Sequence, residues 1–308
     1  MHNMKDSVYY RQAKLLLRII PIIERYPVFA LKGGTAINFF IRDMPRLSVD
    51  IDLTYVPIDE RETALASISS TLNNIGRDVV RLIPDATVIP RHTGNNIVGI
   101  SVRSDGCNVK VEPNSVLRGT IYEPVKMTVT PRVQEIFQLT AESKVLNIAD
   151  IYGGKICAAL DRQHPRDLFD IKLLLDHEGI TSKIRKSFIV HLISHDRPMA
   201  ELLKPRYQDI KKVFKNEFDG MSFVKVPLQE LEEARDILVR EINESLTDKE
   251  KKFIISVKKG NPKWEFLGLR GVDLLPAVQW KLLNISRMGK VKQSTALKKL
   301  EKALSREA

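Results

Sequence analysis

The stretch SVDIDLTYV, residues 48–56, constrains the fold more than any other part of the chain. Val49, Ile51 and Leu53 alternate with Ser48, Asp50, Asp52 and Thr54. A period of two marks a strand that is buried on one face only. The same alternation puts Asp50 and Asp52 on one side, about 7 Å apart along the strand. Two carboxylates that close repel each other unless a cation lies between them. Mg²⁺ takes oxygen ligands and keeps company with substrate phosphates, so it is the natural candidate. An edge strand with two solvated aspartates is the plain alternative, and the DxD pattern alone does not decide between them.

Two neighbouring segments give the pair more weight. Upstream, VFALKGG reads as a short buried strand ending in a glycine turn, and TAINFFIRD reads as a helix with Thr35 near its start. Gly33 and Gly34 would let the backbone come close to a phosphate, and Thr35 adds a hydroxyl donor. A tight strand-to-helix turn uses glycines equally well. Downstream, NVKVEPN sets Glu112 on a strand beside Lys110. Taken singly, Glu112 reads as an exposed strand residue. Next to Asp50 and Asp52 it would complete a carboxylate set for two metal ions.

The remaining pattern predicts a helix over residues 8–26, stopped by Pro27, and another in DERETALASISSTLNNIG with Asp59 as its N-cap. Strands follow at NIVGISVRS and NVKVEPN, separated by the turn signal SDG, with a further short strand at VKMTVTP. From Leu146 onward the apolar spacing is helical almost throughout. The expectation is a mixed α/β domain over residues 1–140, followed by a mostly helical domain over 141–308 with a basic C-terminal tail.

Composition narrows the class. At 308 residues, 43% apolar and 28% charged, the chain can bury a real core. No run approaches the roughly 18 apolar residues of a membrane span. MHNMKDSVYYRQ has no apolar signal-peptide core, so a soluble cytoplasmic protein without membrane association is expected. Cys107 and Cys157 are far apart in sequence and suggest neither a disulfide framework nor a zinc site. His191 and His195 lack the HExxH context and read as ordinary helix residues. The net charge of +11 favours polyanionic partners and disfavours polycationic acceptors. Part of the excess is local: Lys281, Arg287, Lys290, Lys292, Lys298, Lys299, Lys302 and Arg306 face only Glu301 and Glu307. A solvated helix face is the ordinary reading of such a run.

FALKGGTAINFF…RLSVDIDLTY resembles the first motif of the polymerase-β-type nucleotidyltransferases. More narrowly it resembles the AbiEii/AbiGii toxin family, through Gly33, Gly34, Thr35, Arg46, Ser48, Asp50 and Asp52. IADIYGGKICAALDRQHPRDLFDIKLLL is similar to that family's later motifs, at Lys155, Arg162, Arg166, Asp167 and Asp170. PKWEFLGLRGVDLLPAVQWKLLNI looks like the tails of some members. The chain offers Glu112 where many nucleotidyltransferases have aspartate.

The resemblance implies a polymerase-β-like nucleotidyltransferase domain with a mixed sheet, followed by a helical domain. It implies transfer of a nucleoside monophosphate from a nucleoside triphosphate, with release of pyrophosphate. Asp50, Asp52 and Glu112 would hold two Mg²⁺ ions, or Mn²⁺ in their place. Gly33, Gly34 and Thr35 would meet the nucleotide's phosphates. Lys155 and Arg162 are seven residues apart and share a helix face, and would hold the triphosphate together with Arg166. Asp167 would act catalytically and Asp170 beside the nucleotide, unless the RDxxD pair simply joins two helices by salt bridges. The implied acceptor is RNA, in particular a tRNA 3′ end, and the implied role is the toxin of a toxin–antitoxin or abortive-infection system with a cognate antitoxin. A nucleotidyltransferase acting on protein hydroxyls and a catalytically silent RNA-binding module are the competing readings.

Overall fold

The computed structural model describes residues 7–305. Arg306 and Glu307 of the basic tail and the first residues of the N-terminal stretch lie outside them. The chain divides into two compact units: the first runs to Asn147 and takes in Gly220–Lys225, and the second comprises Ile148–Asp219 and the chain from Val226 on.

The first unit opens with helix α1 (Val8–Ile23), strand β1 (Phe29–Lys32) and the short helix α2 (Gly33–Ala36), which continues as a π-helical turn over Ile37–Ile41. Then come β2 (Asp50–Tyr55), α3 (Arg61–Leu82), β3 (Thr87–Thr93), β4 (Asn96–Ser104), β5 (Cys107–Asn114), β6 (Val125–Thr128), α4 (Pro131–Phe137) and β7 (Glu142–Val145). The strands form one sheet in the order β3-β4-β5-β2-β1-β7-β6. β2–β5 and β1–β7 are parallel and the other pairs antiparallel, so the sheet is mixed, as expected. α1 packs against β5 and β7, and α3 against β3 and β4. Ile51, Leu53, Ile100, Val102, Val109 and Val111 are all buried, which is the apolar half of the period-two pattern.

Several boundaries differ from the sequence reading. α1 ends at Ile23, before Pro27 can act, and carries Pro21 within it. The glycines do not precede the helix: α2 begins on Gly33. Glu60, not Asp59, occupies the N-cap of α3 and makes no side-chain cap bond. Asp59 instead accepts a 2.6 Å hydrogen bond from the Tyr55 hydroxyl. β3, α4 and β7 are additional elements. β3 contains Pro90 and is mostly exposed, as an edge strand can be, so it lacks the alternation that marks a buried one.

The second unit is helical: α5 (Ile148–Arg162), α6 (Pro165–Asp176), α7 (Ser182–Ser194), α8 (Met199–Leu203), α9 (Lys211–Glu217), α10 (Leu228–Ser245), α11 (Asp248–Lys258), α12 (Pro276–Ser286) and α13 (Lys290–Leu304). α13 buries Leu300, Ala303 and Leu304 and exposes Lys290, Lys292, Lys298, Lys299 and Lys302, so the basic run forms the outer face of a packed helix. Cys107 and Cys157 are both buried and unpaired, and burial raises both thiol pKa values. Among the described residues no helix is long and apolar enough to cross a membrane.

α5 packs closely on α7 because Gly153 has no side chain. A Cβ there would sit 2.8 Å from the backbone nitrogen of Phe188 and 2.8 Å from the carbonyl carbon of Ser187. Backbone cannot move aside as a flexible side chain can, so Gly153→Ala should push α5 away from α7. The expected cost is about 1–3 kcal/mol, read as a lower urea midpoint with an unchanged slope.

Candidate active site

The polar face of β2 carries the acids, and sheet register brings a third beside them. Asp50 and Asp52 alternate with buried Ile51 and Leu53 and are themselves half-buried. On the neighbouring parallel strand β5, Asp52 pairs with Glu112 and Asp50 with Lys110. On the other side, Asp52 pairs with Lys32 at the end of β1. Rung partners project to the same face, so Lys32, Asp52 and Glu112 form a row across three strands. The carboxylate of Glu112 accepts an ion pair from Arg91 at 3.0 Å.

The glycine turn fits around these side chains. Gly33 has φ of +72°, which favours glycine, and a Cβ there would collide with the Asp52 carboxylate. A Cβ on Gly34 would lie 2.8 Å from a guanidinium nitrogen of Arg46, itself buried. Thr35 is also buried. Its hydroxyl lies 2.6 Å from the Asp50 carbonyl and 2.9 Å from Ser48 Oγ. A carbonyl can only accept, so Thr35 donates to Asp50 and Ser48 donates to Thr35. Each of the three residues thus has a partner within the protein, and together they fix the start of β2.

A clamp that the sequence does not advertise holds the approach to β2. Leu47 N donates to Met221 O at 2.9 Å, Phe223 N donates to Pro45 O at 3.0 Å, and Arg46 forms an antiparallel bridge with Ser222. These partners lie more than 170 residues away in a segment without periodicity, so no local pattern could have revealed them.

In the second unit Lys155, Arg162, Asp167 and Asp170 come together. Lys155 Nζ donates to Asp167 at 2.8 Å and lies 3.1 Å from Asp170. Arg162 grips Asp167 with Nε at 2.6 Å and Nη2 at 3.1 Å, a two-pronged contact that suits a planar guanidinium. Asp167 and Asp170 are almost wholly inaccessible. Burial opposes ionisation of Asp167, but the Lys155 charge and the Arg162 bonds outweigh it and hold the carboxyl well below the usual carboxylate range. Arg166 lies apart from this quartet, 3.9 Å from Glu217.

The turn between α5 and α6 is fixed from both sides. Buried Gln163 donates to Arg206 O at 2.8 Å and accepts from Gln208 N and from Arg235. His164 caps α6 by accepting from Arg166 N through Nδ1, so its neutral ring carries the proton on Nε2, which faces Glu217 at 3.0 Å. Burial lowers the His164 pKa against the pull of Glu217 and so favours that neutral form. Gln163 has no sequence signal beyond adjacency to the RDxxD block, and Glu217 and Arg235, far along the chain, have none.

The donor chemistry of Asp50, Asp52 and Glu112 fits a hard divalent cation: three carboxylates on one sheet face, two of them register partners. Among the described residues no three acids converge as a ligand cage, and Glu112 is paired with Arg91.

The family described as nucleotidyl transferase AbiEii toxin of type IV toxin–antitoxin systems matches residues 14–283. No curated protein matches the chain. Among solved structures, MenT4, a nucleotidyltransferase toxin from Mycobacterium tuberculosis, aligns over 97% of this chain and 96% of its own, with a TM-score of 0.61 and 13% identity. At that identity the likeness speaks for the fold. The family match takes in both the strand with its paired aspartates and the α5–α6 block, so the chain belongs to the AbiEii nucleotidyl transferase toxins of type IV toxin–antitoxin systems.

Proposed function

We propose that the protein moves a nucleoside monophosphate from a nucleoside triphosphate to a hydroxyl of RNA, foremost a tRNA 3′ end, with Mg²⁺ or Mn²⁺ held by Asp50, Asp52 and Glu112. The observation that carries the metal reading is the register of β2 and β5, which sets Glu112 beside Asp52 on the face that Asp50 shares. In the reaction the acceptor oxygen bonds to the α-phosphorus as the bond to the pyrophosphate oxygen breaks. The hydroxyl proton leaves to solvent, and pyrophosphate departs. When bound, the metal supplies Lewis acidity that lowers the hydroxyl's pKa and offsets phosphate charge.

The protein's own residues position and neutralise. Asp50 and Asp52 present oxygen ligands from a strand whose start Thr35 fixes through the Asp50 carbonyl. Gly33 and Gly34 leave room for Asp52 and Arg46, which shapes the floor on which the phosphates rest. Lys155 and Arg162 meet the triphosphate and offset its charge, while Asp167 and Asp170 fix their head groups in advance. Arg166 takes an outer role in holding the nucleotide. The net charge of +11 and the lysine face of α13 support RNA as acceptor. Family membership implies a cognate antitoxin, and modification of the RNA would be the toxic event.

Asp52→Asn should lower transfer from radiolabelled triphosphate to RNA by at least about a hundredfold, keep the far-ultraviolet circular dichroism, and relieve growth arrest on expression. Full activity in this variant would refute the metal assignment. RNA binding should weaken steeply with salt, with a log–log slope of about −0.7 for each phosphate neutralised. A flat salt response, or label found on protein rather than RNA, would exclude RNA as acceptor.

Lys155→Met separates structure from chemistry. Removing one partner of a buried pair costs about 3–5 kcal/mol at neutral pH. Because the folded pKa of Asp167 is depressed, the pairing is at full strength above the unfolded value near about 3.9 and fades as pH falls below it. The stability gap between wild type and Lys155→Met, from urea unfolding, should therefore narrow between about pH 4 and pH 2. Unchanged triphosphate affinity in the folded variant would remove Lys155 from the nucleotide site.

A further inference from the structure

We infer that Arg91 is a positioning residue of the metal site: it holds the Glu112 carboxylate in the metal-free protein, and a divalent cation must displace it to gain Glu112 as a ligand. This rests on the metal reading above and deepens it.

Three features of the sheet bring Arg91 to Glu112 from two strands away. The first is the ion pair, 3.0 Å between Arg91 Nη2 and Glu112 Oε1. The second is Gly99, which lies on β4 between them. Arg91 pairs with Gly99 across β3–β4, and Ile100, the next residue, pairs with Val111, which precedes Glu112 on β5. A Cβ on Gly99 would lie 3.1 Å from Arg91 Nη2 and 3.4 Å from its Nε. The guanidinium thus crosses β4 through the gap left by a missing side chain. The third is a register shift between Arg91 and His92. Bulges of this kind bend an edge strand and re-aim its side chains.

The charges explain the arrangement. Asp52 and Glu112 are like charges on facing positions of adjacent strands, an unfavourable pairing. Lys32 flanks the row at Asp52, and Arg91 closes it at Glu112. A bound dication between the two acids would take over the task that Arg91 performs at Glu112. The side chains of Arg91 and Glu112 are 61% and 32% exposed, so their pair is water-screened and weak enough to yield.

Mn²⁺ binding to the full chain, followed by isothermal titration calorimetry without nucleotide, tests the inference. Arg91→Gln should bind Mn²⁺ about two- to fivefold more tightly than wild type, the factor an exposed ion pair is worth. Arg91→Lys should stay near the wild-type value. Gly99→Ala, whose Cβ would also lie 3.2 Å from the Val111 carbonyl oxygen, should tighten binding in the wild-type background and do so less in the Arg91→Gln background, where the Arg91 contact is already gone. Equal affinity in wild type and Arg91→Gln, lost in both on Asp52→Asn, would overturn the role of Arg91 and leave the metal reading standing. No Mn²⁺ binding sensitive to Asp52→Asn in either background would overturn both.

Discussion

The carboxylate of Asp52 fills the space that a side chain on Gly33 would need, and the turn between β1 and β2 is built around that constraint. β1 and β2 run antiparallel, and their last shared rung pairs Lys32 with Asp52, so the chain leaving β1 must turn where the acid stands. A residue with a side chain would strike the carboxylate, and a φ of +72° would strain it in any case. One residue on, Gly34 leaves room for Arg46, and Thr35 then bonds the Asp50 carbonyl. The glycines, the threonine, the arginine and the aspartates are therefore one packed object, though up to 19 positions separate them in the sequence.

The second unit holds its charges differently. Asp167 and Asp170 are buried, yet Asp167 remains a strong acid because Lys155 and Arg162 lie against it. Burying an ion pair seldom gains net stability, since desolvation offsets most of the attraction. What the arrangement does provide is a fixed place for two cationic head groups. Arg162 keeps 59% of its side chain exposed while its fork is held, so its outer edge is oriented without being hidden.

How much of this could be read from the sequence depended on whether the signal was local. Period two in SVDIDLTYV gave the strand, its buried face and the shared side of Asp50 and Asp52, all of which need only φ, ψ and side-chain alternation. Seven-residue spacing put Lys155 and Arg162 on one side of a helix, and both reach Asp167. The turn glycines were seen, but the bodies that demand them, Asp52 and Arg46, were not, because a collision across strands leaves no mark on local spacing. β7 escaped because ESKV is four residues long and joins β1 through a single parallel rung. The clamp by residues 221–223 and the reach of Arg91 over Gly99 depend on register between distant segments, which composition and period do not encode.

Both units bring like charges together, and they resolve the repulsion in opposite ways. α5 and α6 surround their two aspartates with cations from the same helix pair and exclude water from the acids. The sheet leaves Asp50, Asp52 and Glu112 half-exposed, with Arg91 at Glu112 through a screened contact. A cluster whose acids hold their own cations in place gains from keeping those acids closed and dry, where a pair is least screened. A cluster that must exchange its counter-ion needs access to water and a weak incumbent. The acids of the sheet meet that second requirement, which is what the proposed metal reading asks of them, while Asp167 and Asp170 pair with the cations already beside them.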